Sequence, residues 1–514
     1  MTSTKHYVFS AFPAWGHIRS FCILGARLVK EDENAVVTII IDSRMLDKAH
    51  DEISAELRSG QSQTALQRIR VLATYQSDTY SVDVIQIMKS LAESYGPAYQ
   101  ALMDSKPVTC AAKGTVFDAV APPNVVILDF FALPQLHVTR AITGKSVPIF
   151  AWITGHASSI IRTFGPESMG GIGNLAKKIA AEAARTGATP EEIGDKVFKH
   201  TDGTIVKIPG LPAMYDYEFF PQKLPFEIPV SMVIGGCHSF LEQCDGVLIT
   251  STYHFEREAL EAVKSWFSSW NKPTYVIGPL LPSGFGTIAQ TPRGADDIEE
   301  FLDKAVTKHG QKSVLFISFG TFFYPASPEY VEELFEALIE KNFPFIFCYA
   351  SPFAKLSDEL INKATSSGLG LITKWAPQQY ILSHPATGWF LSHCGHNGVM
   401  ESLACGIPII AWPFEADQPG AAAHLTENLD VAFELIEVRT GDKGLKPLRR
   451  NGRAPKGTRE AVGAEIRGVT DACRGRKGEK MKYNAEDMKE KFADAWKGDG
   501  ISRKELHEFI EKHV

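Results

Sequence analysis

The feature of this 514-residue chain that most restricts its fold is a repeated alternation of short apolar runs with longer helical segments. Each run is rich in β-branched residues, which is typical of parallel strands buried on both faces of a sheet. The rhythm occurs in the first half of the chain and starts again in the second half. The runs are HYVFSAF, AVVTIII, NVVILDFF, VPIFAWI and GVLITS, followed by SVLFISFG, FPFIFCYA, LGLITKW, TGWFLSH, IPIIAWP and VAFEL.

This pattern predicts an α/β protein made of two successive, doubly wound, Rossmann-like domains. A stretch rich in Gly and Pro, PSGFGTIAQTPRG, separates the two rhythms and is typical of a linker. We therefore expect a first domain at 1–280, a linker at 281–297 and a second domain at 298–490. The basic segment 441–457 has no apolar periodicity and is expected to be a solvated surface loop.

The composition argues against several classes of partner. The chain is 22% charged and 44% hydrophobic with a net charge of −7, which gives no electrostatic reason to bind nucleic acid. No run of about 20 apolar residues could span a membrane, and the N-terminus does not resemble a signal peptide. The eight cysteines are scattered without a CxxC pair, as reduced thiols would be. We expect a cytoplasmic monomer whose partners are small molecules.

The richest chemistry lies in TGWFLSHCGHNGVMESLACG, in which a strand leads through a glycine-containing turn into a helix predicted to begin near Asn397. Unpaired N–H groups and the helix dipole at such a turn favour an anion, typically a phosphate. Gly395 and Gly398 would let a diphosphate approach the backbone, and Asn397 and His393 can donate hydrogen bonds. Glu401 could accept from ribose hydroxyls. Alone, this spacing is a weak signal that is equally typical of an Asn-capped turn.

Two neighbouring segments strengthen the nucleotide interpretation. Trp375 follows the strand LGLITKW, where an exposed aromatic face can stack on a base, although a packed Trp is the simpler alternative. Asp417 and Gln418 follow the strand IPIIAWP at the same edge of the predicted sheet. Adjacent Asp and Gln suit sugar hydroxyls, but they are also common at helix starts.

Residues 375–418 resemble, without a gap, the signature box of the UDP-dependent glycosyltransferases of plant secondary metabolism. SFGT, IPGLPAMYDYEFFP and GVLITSTYHFEREALEAV also resemble segments of that family. The resemblance implies the GT-B fold, in which the two Rossmann-like domains face each other across a cleft. It further implies that the first domain binds the acceptor, the second binds the UDP-sugar, and a C-terminal helix at 491–514 packs back on the first domain.

The resemblance also assigns roles to individual residues of the donor site. The assigned residues are Trp375 and Ala376 for uracil, Gln378 and Glu401 for ribose, Thr321, His393, Gly395, Asn397 and Gly398 for the diphosphate, and Asp417 and Gln418 for the sugar. Two positions depart from the family pattern, because His396 stands where Trp is common and Gly398 where Ser is common. The second departure removes one phosphate hydrogen bond, and the first bears on which sugar is bound.

On the first domain, the resemblance singles out His17 and Asp129. His17 lies at the start of a helix predicted near Ile18, where a lone histidine is more often a cap or a solvated residue. Family members use a histidine after the first strand as general base, oriented by an aspartate at the end of a later strand. Asp129 ends the strand NVVILD, where it could also cap the helix predicted from Phe131 or Ala132.

The implied reaction is an inverting transfer of a sugar, glucose first, to a hydroxyl of a small lipophilic acceptor. A neutral imidazole would take the hydroxyl proton, and the helix start at Asn397 with His393 and Thr321 would stabilise the departing UDP. No metal or other cofactor is expected, because the sequence contains no Asp-x-Asp element. Segments 75–100 and 155–230 are rich in Tyr, Phe, Met and Pro and are candidates for the acceptor pocket.

Other functions remain open from the residues alone. A sugar-nucleotide epimerase or hydrolase could share the diphosphate site but would need no acceptor pocket. The departures at His396 and Gly398 would also suit a protein that binds a UDP-sugar without transferring it. A Rossmann oxidoreductase is set aside because neither domain's first strand is followed by G-x-G-x-x-G.

Overall fold

The main architecture is a pair of parallel sheets, seen in a computed structural model that describes residues 4–57, 62–76, 84–224, 230–282, 285 and 295–514. Within these residues, the seven strands of the first sheet are β1 (Lys5–Ser10), β2 (Ala35–Ile40), β3 (Ile69–Leu72), β4 (Val125–Asp129), β5 (Ile149–Ile153), β6 (Gly246–Ile249) and β7 (Thr274–Val276). The six strands of the second sheet are β8 (Val314–Ser318), β9 (Phe345–Cys348), β10 (Gly370–Thr373), β11 (Thr387–Ser392), β12 (Ile409–Ala411) and β13 (Ala432–Glu434).

Helices connect the strands in both halves. They are α1 (Trp15–Glu31), α2 (Leu46–Glu56), α3 (Ser62–Leu66), α4 (Val84–Met103), α5 (Leu133–Thr143), α6 (Ala157–Phe164), α7 (Leu175–Thr186), α8 (Pro190–Phe198), α9 (Val230–Gln243), α10 (Tyr253–Ser269), α11 (Asp296–His309), α12 (Pro328–Glu340), α13 (Asp358–Ser366), α14 (Gln378–Ser383), α15 (His396–Ala404), α16 (Gln418–Ala423), α17 (Gly441–Gly444), α18 (Arg459–Cys473), α19 (Arg476–Asp494) and α20 (Ile501–His513). Two short hairpins pair Val108–Thr109 with Val116–Phe117 and Ile205–Val206 with Met214–Tyr215.

The strand order is the same in both sheets. It runs β3-β2-β1-β4-β5-β6-β7 in the first and β10-β9-β8-β11-β12-β13 in the second, with every neighbouring pair parallel. The order reverses direction between β1 and β4 and between β8 and β11, and ligands bind beyond the carboxyl ends of strands at such points. The predicted doubly wound α/β fold is confirmed, and each sheet has one such crevice.

Burial explains which strands the sequence revealed. Every residue of β4 and of β8 is buried, so both strands are continuous apolar runs. Two strands of the first sheet were not predicted. β3 contains Arg70, which is buried in the middle of the strand and interrupts its apolar run, and β7 is only three residues long.

The chain returns to the first sheet at its C-terminus. Met488 and Phe492 of α19 pack with the core that surrounds α15, whereas Leu506 and Phe509 of α20 belong to the core of the first sheet. The chain passes from the second half to the first after α19 ends at Asp494. The domain boundary predicted at 490 therefore falls inside this helix. Of the predicted linker, residues 283, 284 and 286–294 lie outside the described residues, and its last two residues already belong to α11.

Most residues of the basic segment 441–457 are exposed, as expected of a surface loop, but a few of them are anchored to the rest of the chain. Leu448 is 1% exposed, and the Arg450 guanidinium is buried against the carboxylate of Glu434. The Tyr217 hydroxyl of the first half donates to the Pro447 carbonyl at 2.7 Å. The charge pattern suggested solvent because the acidic partners of these cations lie elsewhere in the sequence. The segment is therefore a largely exposed stretch that also joins the two halves.

The two segments predicted to contribute to the acceptor pocket, 75–100 and 155–230, contain several helices. Much of them is helical, in α4 and in α6 to α8, while residues 77–83 and 225–229 lie outside the described residues. Among the helices that are described, none is long and apolar enough to span a membrane.

Candidate active site

A histidine and an aspartate meet at the crevice of the first sheet. His17 Nδ1 lies 2.6 Å from Asp129 Oδ2, and the Thr154 hydroxyl lies 3.0 Å from the same ring nitrogen. Asp129 is the last residue of β4 and is fully buried, whereas the His17 side chain is 22% exposed. The helix that carries His17 begins at Trp15, three residues before the predicted start. Asp129 and Thr154 therefore hold the Nδ1 edge of the imidazole, and Nε2 is left for a ligand.

The second oxygen of Asp129 holds the backbone beside it. Oδ1 accepts a hydrogen bond from the Phe131 N–H at 3.1 Å. The following helix begins at Leu133 with Ala132 as its N-cap, slightly later than predicted, so Asp129 stabilises the turn before the helix rather than the helix start itself. The carboxylate thus orients the imidazole and is itself held by the chain.

An apolar cavity of about 350 Å³ lies next to this pair. The rings of Phe12 and Phe131 both line it, and their centroids are 5.2 and 5.6 Å from that of the His17 ring. Helix α4 contributes Met88 and Leu91 to the wall. Phe12 and Phe131 therefore lie beside both the His17 ring and the cavity, which takes one wall from a segment that the sequence marked as aromatic and apolar.

Across the cleft, β11 ends at Ser392 and α15 begins at His396, one residue before the predicted start. Gly395 is the N-cap, and no side chain caps this helix. Asn397 is exposed, and its amide donates to the Gly16 carbonyl at 3.1 Å. Because Gly16 precedes His17, this contact sets the base candidate directly beside the helix start of the predicted diphosphate site.

His393 closes the same turn with an unused nitrogen. Its Nδ1 is buried and has no hydrogen-bond partner among the described residues, and burial lowers the pKa of this histidine to about 4. Gly320 has φ +76°, and a Cβ there would come within 2.9 Å of the His393 ring. Glycine is therefore required where the turn after β8 approaches His393. Thr321 follows in that turn and is exposed.

Glu401 joins the two walls of the cleft. It is 3% exposed, its Oε2 accepts from the Gln378 side-chain amide, and its Oε1 accepts from the Arg19 guanidinium. Gln378 and Glu401, predicted to share one role, are thus in direct contact. Arg19 was not identified from the sequence, because nothing in the helical pattern around it distinguishes it from a solvated arginine.

The aromatic candidate of the donor site is accessible. Trp375 follows β10 and is 54% exposed, so the alternative of an ordinary packed Trp is wrong. Ala376 beside it is half-buried, and Gln378 begins α14. The indole therefore presents a free face near the residues that were assigned to the nucleoside.

The sugar candidates differ in their surroundings. The Gln418 side chain is buried, and its Oε1 accepts from the Phe414 N–H at 2.9 Å, so this oxygen stabilises the turn before α16. Asp417 Oδ2 accepts from the His396 N–H at 3.0 Å. Burial raises the pKa of Asp417 to about 6. Asp417 is thus fixed at the start of α15, next to the predicted diphosphate turn.

The imidazole of His396 points away from the predicted diphosphate turn between β11 and α15. Its Nε2 lies 3.1 Å from the Thr250 hydroxyl, and its Nδ1 lies 3.3 Å from His156 Nδ1. Both histidines are buried, and burial lowers the pKa of His396 to about 4 and that of His156 well below its ordinary value. No pattern in the sequence predicts this pair, which joins the two halves of the chain. Only the backbone of His396 contacts Asp417.

The other departure from the family pattern leaves space. A Cβ at Gly398 would meet Phe390 at 3.5 Å and the Ser392 hydroxyl at 3.6 Å, which are ordinary contacts. A serine would fit at this position without displacing its neighbours. The predicted loss is therefore one hydroxyl, not a change in the shape of the turn.

Comparisons with known proteins point to one family. The family model described as "UDP-glucoronosyl and UDP-glucosyl transferase" matches residues 275–440. UDP-glycosyltransferase eriJ of Hericium erinaceus is 32% identical over 537 residues, which cover 99% of this chain and 100% of the relative. UDP-glucosyltransferase 45 of Panax ginseng is 25% identical and covers 76% of this chain, with 77% of its own length matched.

Solved structures match the fold over nearly the whole chain. A transferase from Siraitia grosvenorii in complex with UDP superposes with a TM-score of 0.69, at 19% identity and 99% coverage of both chains. Medicago truncatula UGT71G1, complexed with UDP-glucose, also has a TM-score of 0.69, at 18% identity, with 99% of this chain and 98% of that chain covered. These structures show the fold alone, whereas the full-length similarity to the Hericium erinaceus protein also identifies the family. The chain belongs to the UDP-glycosyltransferase family.

Proposed function

We propose that this UDP-glycosyltransferase moves a sugar, glucose in the first instance, from a UDP-sugar to a hydroxyl of a small apolar acceptor, with His17 as general base and inversion at the anomeric carbon. Glucose is proposed first because relatives such as the Panax ginseng protein are named glucosyltransferases. The observation that carries the mechanism is the 2.6 Å contact between His17 and the buried Asp129.

The proton step follows from this contact. An alcohol is too weak an acid to attack unaided at neutral pH, so a base must remove its proton as the new bond forms. With Nδ1–H donating to Asp129, the lone pair of His17 resides on Nε2, which accepts the proton. The carboxylate then stabilises the imidazolium that develops and keeps the ring oriented.

The donor would lie against the turns that follow β8 and β11. Apart from the His396 N–H, which donates to Asp417, the N–H groups at the start of α15 are offered to the diphosphate. The unpartnered His393 Nδ1 and the Thr321 hydroxyl can add hydrogen bonds. Trp375 would stack on uracil with Ala376 beside it, Gln378 and Glu401 would bind the ribose, and Asp417 and Gln418 would contact the sugar. Because Gln418 Oε1 is already bonded, its Nε2 is the atom available to the sugar.

The chemistry requires stabilisation of the departing UDP, which gains negative charge as the glycosidic bond breaks. The helix dipole of α15 and the donors beside it act on that charge, and we propose that transfer proceeds without a metal ion. A single displacement places the acceptor opposite the leaving group. An α-linked UDP-sugar would then yield a β-glycoside.

The apolar cavity favours transfer over simple hydrolysis. A hydrolase or epimerase needs no acceptor pocket, yet a cavity of about 350 Å³ is lined by Phe12 and Phe131, the two rings that lie beside His17. Its other lining is largely apolar but includes Lys89 and Glu93. Phe12 and Phe131 suit the ring system of a phenol, a flavonoid or a terpenoid alcohol. We therefore propose an acceptor that combines such an apolar body with one hydroxyl.

The test is an incubation of the purified protein with UDP-glucose, EDTA and a panel of phenols, flavonoids, sterols and terpenoid alcohols. UDP release and new glycosides are followed by mass spectrometry, and the anomeric coupling constant of any product by NMR. We expect a β-glucoside in the presence of EDTA. An α-glycoside would contradict inversion, and dependence on added metal would contradict the metal-free step.

Three further outcomes separate the alternatives. UDP release without any glycoside would favour hydrolysis over transfer. Tight UDP binding without turnover of any UDP-sugar would favour a binding protein, as the departures at His396 and Gly398 once suggested. Release from another UDP-sugar but not from UDP-glucose would overturn only the choice of sugar.

A further inference from the structure

Arg19 of the first half contacts a carboxylate of the proposed donor site. It lies on α1, two positions after His17, and its Nη1 donates to Glu401 Oε1 in the second half. Its Nε donates to Glu52 Oε1 at 3.2 Å. Arg19 and Glu401 also line a small cavity of about 20 Å³ between the two halves, together with Asn397. One guanidinium therefore joins the base-carrying helix to the proposed ribose-binding carboxylate.

The surroundings of Arg19 are buried and charged. Its side chain is 15% exposed, those of Glu401 and Glu52 are 4% and 16% exposed, and Arg19 Nη2 is buried without a partner among the described residues. Burial opposes the charge on Arg19, but the two carboxylates outweigh it and raise the pKa of the guanidinium. Arg19 thus stays charged beside a carboxylate that would be costly to bury without it.

The contacts of Glu401 are shared between the two halves. Gln378, from the second half, donates to Oε2, and Arg19, from the first, donates to Oε1. A carboxylate oxygen can accept two hydrogen bonds, so each oxygen keeps one site for a ribose hydroxyl. The direction of those free sites depends on both partners, because a carboxylate held on one side only can rotate about its terminal bond.

We propose that Arg19 is a positioning residue of the donor site. It keeps Glu401 oriented so that its remaining acceptor sites face the ribose, and it couples ribose recognition in the second half to the helix that carries His17 in the first. This inference rests on the proposed ribose role of Glu401. The opposite arrangement, in which Arg19 competes with the ribose for Glu401, makes the opposite prediction for nucleotide affinity.

The test compares UDP with 2′-deoxy-UDP, which lacks one of the hydroxyls that Glu401 would bind. Calorimetry gives the dissociation constants of both nucleotides for the wild type and for Arg19→Met. We expect the variant to bind UDP roughly tenfold more weakly, because an oriented charged hydrogen bond is lost, and 2′-deoxy-UDP with a much smaller change. The preference for UDP over 2′-deoxy-UDP should therefore shrink. Arg19→Lys keeps the charge and should restore part of that preference.

Arg503→Met is the matched control. Arg503 of α20 pairs with Glu31 in the last turn of the same helix α1, at 2.8 Å. Its loss removes an Arg–Glu pair from α1 but leaves the donor site untouched, so the preference for UDP should be that of the wild type. A loss of preference in this variant too would show that Arg19 acts only through the general stability of α1, and would overturn the proposal.

Glu401→Gln separates a failure of this inference from a failure of the proposed ribose site. If Glu401→Gln keeps the full preference for UDP, the ribose role itself is wrong. If Glu401→Gln loses the preference while Arg19→Met keeps it, only the role of Arg19 is wrong. Tighter UDP binding by Arg19→Met would also overturn the proposal, because it would reveal competition. In the double variant the preference should fall no further than in Glu401→Gln alone.

Discussion

The two walls of the cleft are assembled in different ways. In the second half, the proposed donor residues from Trp375 to Gln418 come from one continuous segment that reaches the carboxyl edge of the sheet after β10, β11 and β12. In the first half, His17 and Asp129 are 112 positions apart and meet because β1 and β4 are neighbours. Nucleotide binding adds many modest contacts along one edge, whereas proton transfer depends on a single pair held in hydrogen-bond contact.

The walls also differ in how they treat their histidines. His396 of the second wall is buried and His393 is half-buried with its Nδ1 enclosed. Desolvation lowers the pKa of each to about 4, so both are neutral donors or acceptors at pH 7. His17 of the first wall is partly exposed and faces a buried carboxylate. The comparison predicts that the first wall controls turnover, whereas the second controls affinity and depends on imidazoles that stay uncharged.

The largest effect should come from the first wall. His17→Ala removes the proposed base, and we expect kcat for transfer to fall roughly 10²- to 10⁴-fold while the dissociation constant of UDP stays unchanged. Steady-state kinetics and calorimetry measure the two quantities. The control is His137→Ala, which removes an imidazole from the outer part of α5 that bonds Gln243. Near-normal turnover in His17→Ala would show that the first wall does not control turnover.

The second test concerns the neutral imidazoles. The folded pKa of His396 lies below its ordinary 6.5, so the unfolded chain binds more protons between pH 6.5 and about 4, and stability must fall as the pH drops through that window. His396→Asn should remove about 1.4 kcal/mol of that loss per pH unit inside the window. Urea unfolding of both proteins at several pH values measures the difference.

The wild type must be compared with the variant, not judged alone. The raised pKa of Asp417 acts in the opposite direction, because the folded state then binds more protons than the unfolded chain between pH 3.8 and about 6. Both proteins keep Asp417, so this contribution largely cancels in the difference. Equal pH slopes for the two proteins would show that His396 is not held neutral.

The third test concerns the nucleobase. Trp375 is 54% exposed, so Trp375→Ala should leave folding stability nearly unchanged. Loss of stacking should weaken UDP binding about tenfold, with little change in kcat. Tyr483→Ala is a suitable control because Tyr483 is 76% exposed on α19, outside the proposed site. If the variant binds UDP like the wild type, Trp375 does not stack on the uracil.

The smallest effect should come from restoring the family residue at position 398. Gly398→Ser adds a hydroxyl beside the proposed diphosphate, where a Cβ makes only ordinary contacts. We expect UDP to bind roughly threefold more tightly, as one added hydrogen bond would produce. Gly398→Ala adds the Cβ alone and should not tighten binding. Equal affinities for the two variants would show that the hydroxyl does not reach the diphosphate.

The sequence was most informative where burial is complete and the motif is contiguous. Fully buried strands such as β4 and β8 are apolar throughout, so their positions and the doubly wound fold follow from the pattern. The residues from Trp375 to Gln418 could be assigned because their spacing within one segment matches a family. The short strand β7 and the Arg70-containing β3 lack a continuous apolar run and were missed for that reason.

Contacts between the two halves could not be predicted. The pairs Arg19–Glu401 and His156–His396 join residues hundreds of positions apart, and they exist only because the two sheets face each other at one particular angle. No local periodicity encodes that angle. The contacts that anchor the otherwise exposed segment 441–457 were missed for the same reason, since its partners lie on other elements.

The two places where the chain passes between the halves lie side by side. The Trp496 indole N–H, just after α19, donates to the Pro279 carbonyl at 2.8 Å. Arg27 of α1 stacks over the Trp496 ring at 3.6 Å and donates to the Leu281 carbonyl at 2.6 Å. From these contacts we expect this edge to serve as a hinge, so that the cleft would open by rotation about it.

Helix α1 runs from this edge to the proposed base. A rotation about the edge would therefore displace the opposite wall more at His17 than at Arg27. Arg27 and His17 are separated by ten residues of helix, or about 15 Å, so a rotation of about 10° would shift the opposite wall by roughly 3 Å at His17. That displacement is enough to break the hydrogen bond between Asn397 and Gly16. A small rotation at one edge would therefore open the cleft to both substrates while the base stays fixed to its own domain.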